Sequence, residues 1–204
     1  MKKNNSLFTM IILVLGLLSA GFILKTDSDH MFDYSDSVKL GRQKVTKSTS
    51  GQSGRKAVGF NGEYGLQIFN EGNQYLLKEA AFHMRFNTLD SILFRINIYD
   101  VQDGKPGRSI LDKEIYTKAY KKDNWIRADL SAENLVMDQN LVVTYQVVEA
   151  WFSKRGDNQM FFTHGADYME GGFFGRSPNR DEWTTSSMDT GVGPVVLYLS
   201  AEKF

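Results

Sequence analysis

Apolar and polar residues alternate in short runs along most of the chain after residue 57, and turn residues separate the runs. Side chains of a β-strand point alternately to its two faces, so this period of two predicts strands with one buried face. In "AAFHMRFN", the period places Phe82, Met84 and Phe86 on one face, and His83 and Arg85 on the other. These residues therefore predict a strand of a sheet that covers a core.

The segment "FRINIYDVQDGKPGRSILDKEI", residues 94–115, predicts a β-hairpin. Its first half alternates apolar and polar residues, and its second half returns as a more exposed strand. Between them, Asp103-Gly104 and Pro106-Gly107 supply the positive φ and the fixed φ that tight turns use. We expect this hairpin to be scaffold rather than a site of function.

The later segments complete an all-β pattern. "NWIRADLS" alternates, whereas "NLVVTYQVVEAWF" is apolar on both faces and predicts a central strand. We expect Trp125 and Trp151, which belong to these two segments, to lie in the core. "QMFFTHG", "GGFFGRS" and "PVVLYLS" predict further strands, and no window has a helical period. About eight or nine strands predict an antiparallel β-sandwich of the jelly-roll or immunoglobulin-like kind over residues 57–204.

The first 25 residues have the pattern of a leader helix. Lys2 and Lys3 precede an apolar run from Leu7 to Leu24, which indicates either a cleaved signal peptide or an uncleaved membrane anchor. Both interpretations predict export to the periplasm, the cell surface or the medium, with a tether to the inner membrane if the leader is kept. Residues 26–56 are polar and predict a spacer, with one short strand near Val38–Val45.

Composition excludes several classes of protein. The sequence has 24 Lys and Arg, 24 Asp and Glu, and no Cys. Without Cys there is no disulfide scaffold, thiolate zinc site, Cys nucleophile or lipidated Cys anchor. Three lysines flank the leader, so the remainder is slightly acidic, which argues against a nucleic-acid partner. Membrane contact is expected only through the N-terminal segment.

Residues 94–137 and the closing "FFGRSPNRDEWTTSSM" resemble segments of uncharacterised envelope proteins of Bacteroidota. In that family, an F-R-h-x-h-Y strand (h, apolar) precedes a GKPG-type turn, a Trp and "DLS", and an RSP-type turn precedes a second Trp. The resemblance covers about residues 57–200 and implies a β-sandwich, which in the family often follows a carboxypeptidase-regulatory-like domain. It implies no catalytic residues.

Motifs of catalytic chemistry are weak in this sequence. The tripeptide at Asp189 resembles that of aspartic proteases, but those enzymes need two carboxylates and the tripeptide occurs once. Glu149 lies in the apolar strand "QVVEAWF" and is expected at the sandwich rim, although a buried Glu149 could act with a loop Asp as the acids of a glycan hydrolase. His83 and His164 are expected to be solvated surface residues. We therefore predict a protein that is not an enzyme and has no cofactor.

The sequence contains one candidate cation site, and its signal is weak. Asp157 and Asn158 offer oxygen ligands of the kind that holds Ca²⁺ in extracellular modules. The loop lacks EF-hand spacing, and turn formation is the ordinary role of such residues.

The segment "THGADYMEGGFFGRSPNRDEW", residues 163–183, is the candidate ligand-binding region. Aromatic rings beside polar groups suit a sugar, because rings stack on C–H faces while polar groups bind hydroxyls. The candidate ligand-binding residues are Tyr168, Phe173, Arg176, Asn179, Arg180 and Trp183. In the alternative, Phe173 belongs to a core strand and Trp183 packs beneath the loop.

These observations together predict an exported, non-catalytic β-sandwich module at the cell envelope. Its expected partner is a glycan or an envelope protein, and the analogy from sandwich folds to lectins is one of fold alone. Two alternatives stay open: the hydrolase that uses Glu149, and a purely structural part of an envelope assembly.

Overall fold

A computed structural model describes residues 37–46, 49–53, 62–152, 159–163, 172–177, 182–186 and 195–204. These ranges belong to one compact unit, Asp36–Phe204. The predicted leader lies outside the described residues. Within the described ranges, no helix has the length and apolar character needed to cross a bilayer.

The described strands, in chain order, are β1 (Ser37–Gly41), β2 (Thr49–Ser53), β3 (Glu63–Ile68), β4 (Tyr75–Asn87), β5 (Ser91–Gln102), β6 (Lys105–Ser109), β7 (Ile115–Tyr120), β8 (Trp125–Asp129), β9 (Val136–Met137), β10 (Leu141–Trp151), β11 (Gln159–Thr163), β12 (Phe173–Arg176), β13 (Thr184–Ser186) and β14 (Leu197–Lys203). A 3-10 turn, Ser131–Glu133, follows β8.

Two antiparallel sheets of seven strands each contain all of these strands. The first sheet has the order β1-β14-β4-β11-β2, and both β8 and β9 pair with β4. The second sheet has the order β13-β12-β3-β10-β5-β6, and β7 pairs with β5. Strand β10 pairs on both sides, with β3 and β5, which confirms it as a central strand.

Aromatic side chains join the two sheets in one core. Phe82 of β4 stacks on Tyr145 of β10 with ring centroids 4.4 Å apart, and meets Phe94 of β5 edge-on at 4.9 Å. All three side chains are buried. Because Phe82 belongs to the first sheet and the other two to the second, the sheets pack face to face, and the prediction of an all-β antiparallel fold is confirmed.

The predicted hairpin is present, and a loop of two residues joins its strands. Asp103 has φ +51° and Gly104 has φ +73°, while Gln102 lies opposite Lys105. Positive φ at both loop residues defines the type I′ turn, whose twist matches that of the flanking strands. Pro106 follows on β6, an edge strand, where its lack of an N–H group removes no hydrogen bond between strands.

A bulge in β4 corrects one prediction from the alternation. Met84 lies opposite Phe162 and Phe86 lies opposite Phe161, so β4 has one extra residue between these pairs. An extra residue reverses which face the following side chains occupy. Phe86 is consequently 50% exposed rather than sharing the buried face of Phe82 and Met84.

The first sheet also includes residues that the sequence predicted as spacer. Strand β1 pairs with β14 and strand β2 pairs with β11, although both fall within residues 26–56. The compact unit thus begins before Ala57, where the pattern placed the start of the domain. Strand β1 matches the short strand predicted near Val38–Val45, and its Val38 and Leu40 pack against the core. Strand β2 was not predicted.

Candidate functional site

A row of polar side chains crosses the second sheet on the face opposite the core, which we call the outer face. Tyr116, Arg95, Gln146, Glu63 and Arg176 lie opposite one another in register on β7, β5, β10, β3 and β12. Their neighbours along each strand point into the core, so these five side chains point away from it. The row brings together residues that are far apart in the sequence.

A buried carboxylate lies at the centre of what we call the Glu63 cluster: Glu63, Asn97, Tyr99, Thr144 and Arg176. The Glu63 side chain is 3% exposed. Its Oε1 accepts hydrogen bonds from Asn97 Nδ2 at 2.7 Å, from the Tyr99 hydroxyl at 2.7 Å, and from the Thr144 hydroxyl. Its Oε2 accepts one from Arg176 Nη2 at 2.6 Å. Both carboxylate oxygens are therefore satisfied, which a buried charge requires.

The cluster changes the protonation equilibria of its members. Burial raises the pKa of the Tyr99 hydroxyl, and the charge and hydrogen bond of Glu63 raise it further. For Arg176, burial opposes the charged form, but the hydrogen bond and charge of Glu63 outweigh it and the pKa is raised. Tyr99 thus stays a neutral donor and Arg176 a cation, which keeps the network intact.

Trp183 covers this cluster on its solvent side. The Arg176 guanidinium lies over the indole at 4.4 Å from the ring centroid, and Tyr99 meets the indole edge-on at 5.5 Å. Phe174 and Val142 form the apolar floor beside Tyr99. Trp183 is half-buried. The contacts on Arg176 and Tyr99 hold the ring in one orientation.

Two of the six predicted ligand-binding residues meet in this arrangement, namely Arg176 and Trp183. Phe173 does not join them, because it lies on the opposite face of β12, is 7% exposed and stacks on Tyr64 at 6.0 Å. Its place is the core, which was the alternative interpretation. Tyr168, Asn179 and Arg180 lie outside the described residues.

Four members of the Glu63 cluster were not predicted from the sequence: the buried Glu63, Tyr99 and Thr144, and the half-buried Asn97. They come from three strands, and their meeting depends on strand order. One signal was available, since Thr144 interrupts the apolar run "LVVTYQVV" and is fully buried. A buried hydroxyl in a central strand requires a polar partner.

A second bulge, in β10, determines where Glu149 and Trp151 point. Val147 lies opposite Phe94, but Glu149 lies opposite Leu93, so Val148 is an extra residue. The extra residue reverses the alternation of faces along β10, so the side chains of Glu149 and Trp151 point to the outer face. The prediction that Trp151 is a core residue is therefore wrong, because it is 38% exposed.

His83 is buried, contrary to the prediction of a solvated histidine. It is 8% exposed on the outer side of the first sheet, with Nδ1 2.6 Å from Thr163 Oγ1. The Trp125 indole meets its ring edge-on at 4.9 Å and shields it from water. Trp125 itself is half-buried on that side rather than part of the core. His164 lies outside the described residues.

The buried imidazole predicts a dependence of stability on pH. Burial, and secondarily the charge of Arg85, lower the pKa of His83 below its ordinary value. The unfolded chain then binds a proton more readily than the folded one, so this contribution is complete above about pH 6.5 and is lost as the pH falls through the folded pKa. Urea unfolding from neutral to acidic pH should show a smaller loss for His83→Gln than for the wild type. Parallel curves for the two proteins would contradict the assignment.

No group of three or more His, Asp or Glu side chains with the geometry of a metal site occurs within the described ranges. The weak Ca²⁺ candidates Asp157 and Asn158 lie outside those ranges. Among the described residues, the Glu63 cluster has one carboxylate and several donors, which suits an ion pair rather than a cation site.

Comparisons with known proteins identify a likeness of fold. No protein-family model and no curated protein matches the chain. A solved structure of a clostridial cysteine protease after propeptide cleavage superimposes with a TM-score of 0.56 at 10% sequence identity. The match covers 83% of this chain and 41% of that one, so this chain spans about two fifths of its length. The present sequence contains no cysteine.

Proposed function

We propose that this domain is a non-catalytic module that binds a glycan on the outer face of its second sheet. The observation that carries the proposal is the half-buried Trp183 ring, fixed on Arg176 above the Glu63 cluster. A sugar stacks its C–H face on an indole, while nearby polar groups bind its hydroxyls.

Preorganisation supports this role for Trp183. A ligand does not have to order the indole, because Arg176 and Tyr99 already hold it, and Glu63 holds both of them. Because folding has already fixed the ring, binding costs no conformational entropy of the indole, and this raises the affinity for weakly binding ligands such as sugars. The guanidinium of Arg176 adds a polar group beside the ring.

We place the module in the jelly-roll class within the wider set of sandwiches. Consecutive strands repeatedly change sheet: β3 belongs to the second, β4 to the first and β5 to the second, and β10, β11 and β12 alternate in the same way. Such crossing between sheets is typical of jelly rolls, whereas immunoglobulin-like sandwiches contain more hairpins within one sheet. The leader pattern and the resemblance to Bacteroidota proteins support an exported envelope protein.

The hydrolase alternative has less support. Glu149 is exposed and lies opposite Leu93 in the register, so its partner across the strand is not a carboxylate. A glycosidase needs a second carboxyl group about 5 to 10 Å away. We therefore retain the binding module as the proposed function.

A glycan array tests this function. The purified chain is screened with and without Ca²⁺, and any ligand found is titrated against Trp183→Ala. Loss of the stacking ring should weaken binding about tenfold or more, which corresponds to at least about 1.4 kcal/mol. Trp125→Ala is the matched control, since it removes a half-buried indole from the other sheet. Equal losses in the two variants, or none in Trp183→Ala, would exclude Trp183 as the site.

A further inference from the structure

Two exposed aromatic side chains and a lysine form a second cluster on the same outer face, which we call the aromatic platform: Lys118, Tyr120 and Trp151. Tyr120 and Trp151 are 57% and 38% exposed. Tyr120 and Trp151 lie on either side of Ser91 in the register, on β7 and β10. The bulge at Val148 is what turns Trp151 to this side.

Lys118 lies between the two rings of the platform. Its ammonium lies 4.8 Å from the Trp151 centroid and 5.6 Å from that of Tyr120. The strands that carry these rings are two strand spacings apart, or about 10 Å. The ammonium therefore occupies the interval above the small, buried Ser91 and offers a hydrogen-bond donor between the two rings.

The platform and Trp183 lie at opposite ends of the outer face. Trp151 lies opposite Ser91, whereas Trp183 contacts Tyr99 farther along β5. The interval from residue 91 to residue 99 corresponds to about 26 Å of extended strand. Hydrogen-bonding groups occupy the space between, where Arg95 donates to Glu114 at 2.7 Å and to Gln146 at 2.6 Å.

We propose that the aromatic platform is a second sugar subsite, and that the ligand is an extended polysaccharide that runs along the strands from Trp183 to Trp151. This inference rests on the proposed glycan-binding function and specifies its substrate class. A chain of linked sugars presents rings at both ends of such a path and hydroxyls along its middle, which matches aromatic groups at the ends and polar groups between them.

The composition of the path favours a polysaccharide over a protein partner. The centre of a protein–protein interface is depleted of charged residues. Here the centre contains Arg95, Glu114 and the outer edge of the Glu63 cluster. Hydroxyl groups can exchange hydrogen bonds with these side chains without requiring their burial as bare charges.

Two linked subsites predict a strong dependence of affinity on ligand length. A ligand that reaches both subsites gains from effective concentration, by about 100-fold or more over one that reaches a single subsite. The probes are β-1,4-linked glucose, xylose and N-acetylglucosamine oligosaccharides, from disaccharides to chains longer than about 26 Å. Calorimetry on the full chain gives the ratio of long-chain to disaccharide affinity.

The expected ratio is high for the wild type and for Trp125→Ala, and it falls to within about tenfold of unity in both Trp151→Ala and Trp183→Ala. A ratio that stays high in Trp151→Ala overturns the second subsite but leaves the glycan site at Trp183 intact. Absence of binding by every oligosaccharide overturns both proposals. Sedimentation that shows a wild-type dimer and a Trp151→Ala monomer would instead assign the platform to self-association and overturn the subsite.

Discussion

Glu63→Gln should lower the free energy of unfolding by about 3 kcal/mol, because it replaces a buried carboxylate that accepts four hydrogen bonds. The amide group of glutamine would place N–H donors against the donors that now bind the carboxylate, and the Arg176 cation would lose its counter-charge. Urea unfolding with matched slopes gives the difference in stability. The same variant should also weaken glycan binding, since Arg176 and Tyr99 would no longer hold Trp183 as firmly.

Glu114→Gln is the control for this prediction. Its carboxylate also pairs with an arginine on the outer face, at 2.7 Å from Arg95, but its side chain is 59% exposed. Solvent already screens that pair, so its removal should change stability little. Similar stabilities of Glu63→Gln and Glu114→Gln would show that the Glu63 cluster does not organise the outer face.

Phe82→Ala should destabilise the fold by about 4 kcal/mol, because it leaves a cavity at the point where the two sheets meet. Phe82 is 1% exposed and contacts both Tyr145 and Phe94 of the opposite sheet. The loss combines the transfer free energy of a phenyl ring with incomplete collapse of the aromatic core. Thermal and urea unfolding both measure it.

Phe86→Ala is the control on the same strand. The bulge in β4 leaves Phe86 50% exposed, so truncation should have a small effect on stability. Strict alternation along β4 would instead make the two phenylalanines equivalent. Equal destabilisation by the two substitutions would contradict the bulge and the packing that follows from it.

Local chemistry predicted much of the scaffold. The alternation in "FRINIYD" and the Asp103-Gly104 pair are sufficient to predict a hairpin, because a period of two and a positive φ are properties of a few neighbouring residues. The length and apolar character of the segment around Tyr145 likewise predicted a central strand. Each of these features depends on short stretches of sequence.

The errors arose where one inserted residue or a distant strand determines the outcome. Val148 and the extra residue before Phe86 reverse the faces of β10 and β4, so Trp151 and Phe86, which were expected on the core side, are exposed. Glu63 and Arg176 are 113 residues apart and meet only because β12 pairs with β3. Turn and period signals contain no information about that pairing.

Hydroxyl-radical footprinting with the best ligand from the array tests directly whether the outer face of the second sheet binds the ligand. Bound ligand should lower the oxidation of Trp183, Tyr120 and Trp151, while Trp125 of the first sheet keeps its reactivity. Protection confined to Trp125, or no change at Trp183, would contradict it.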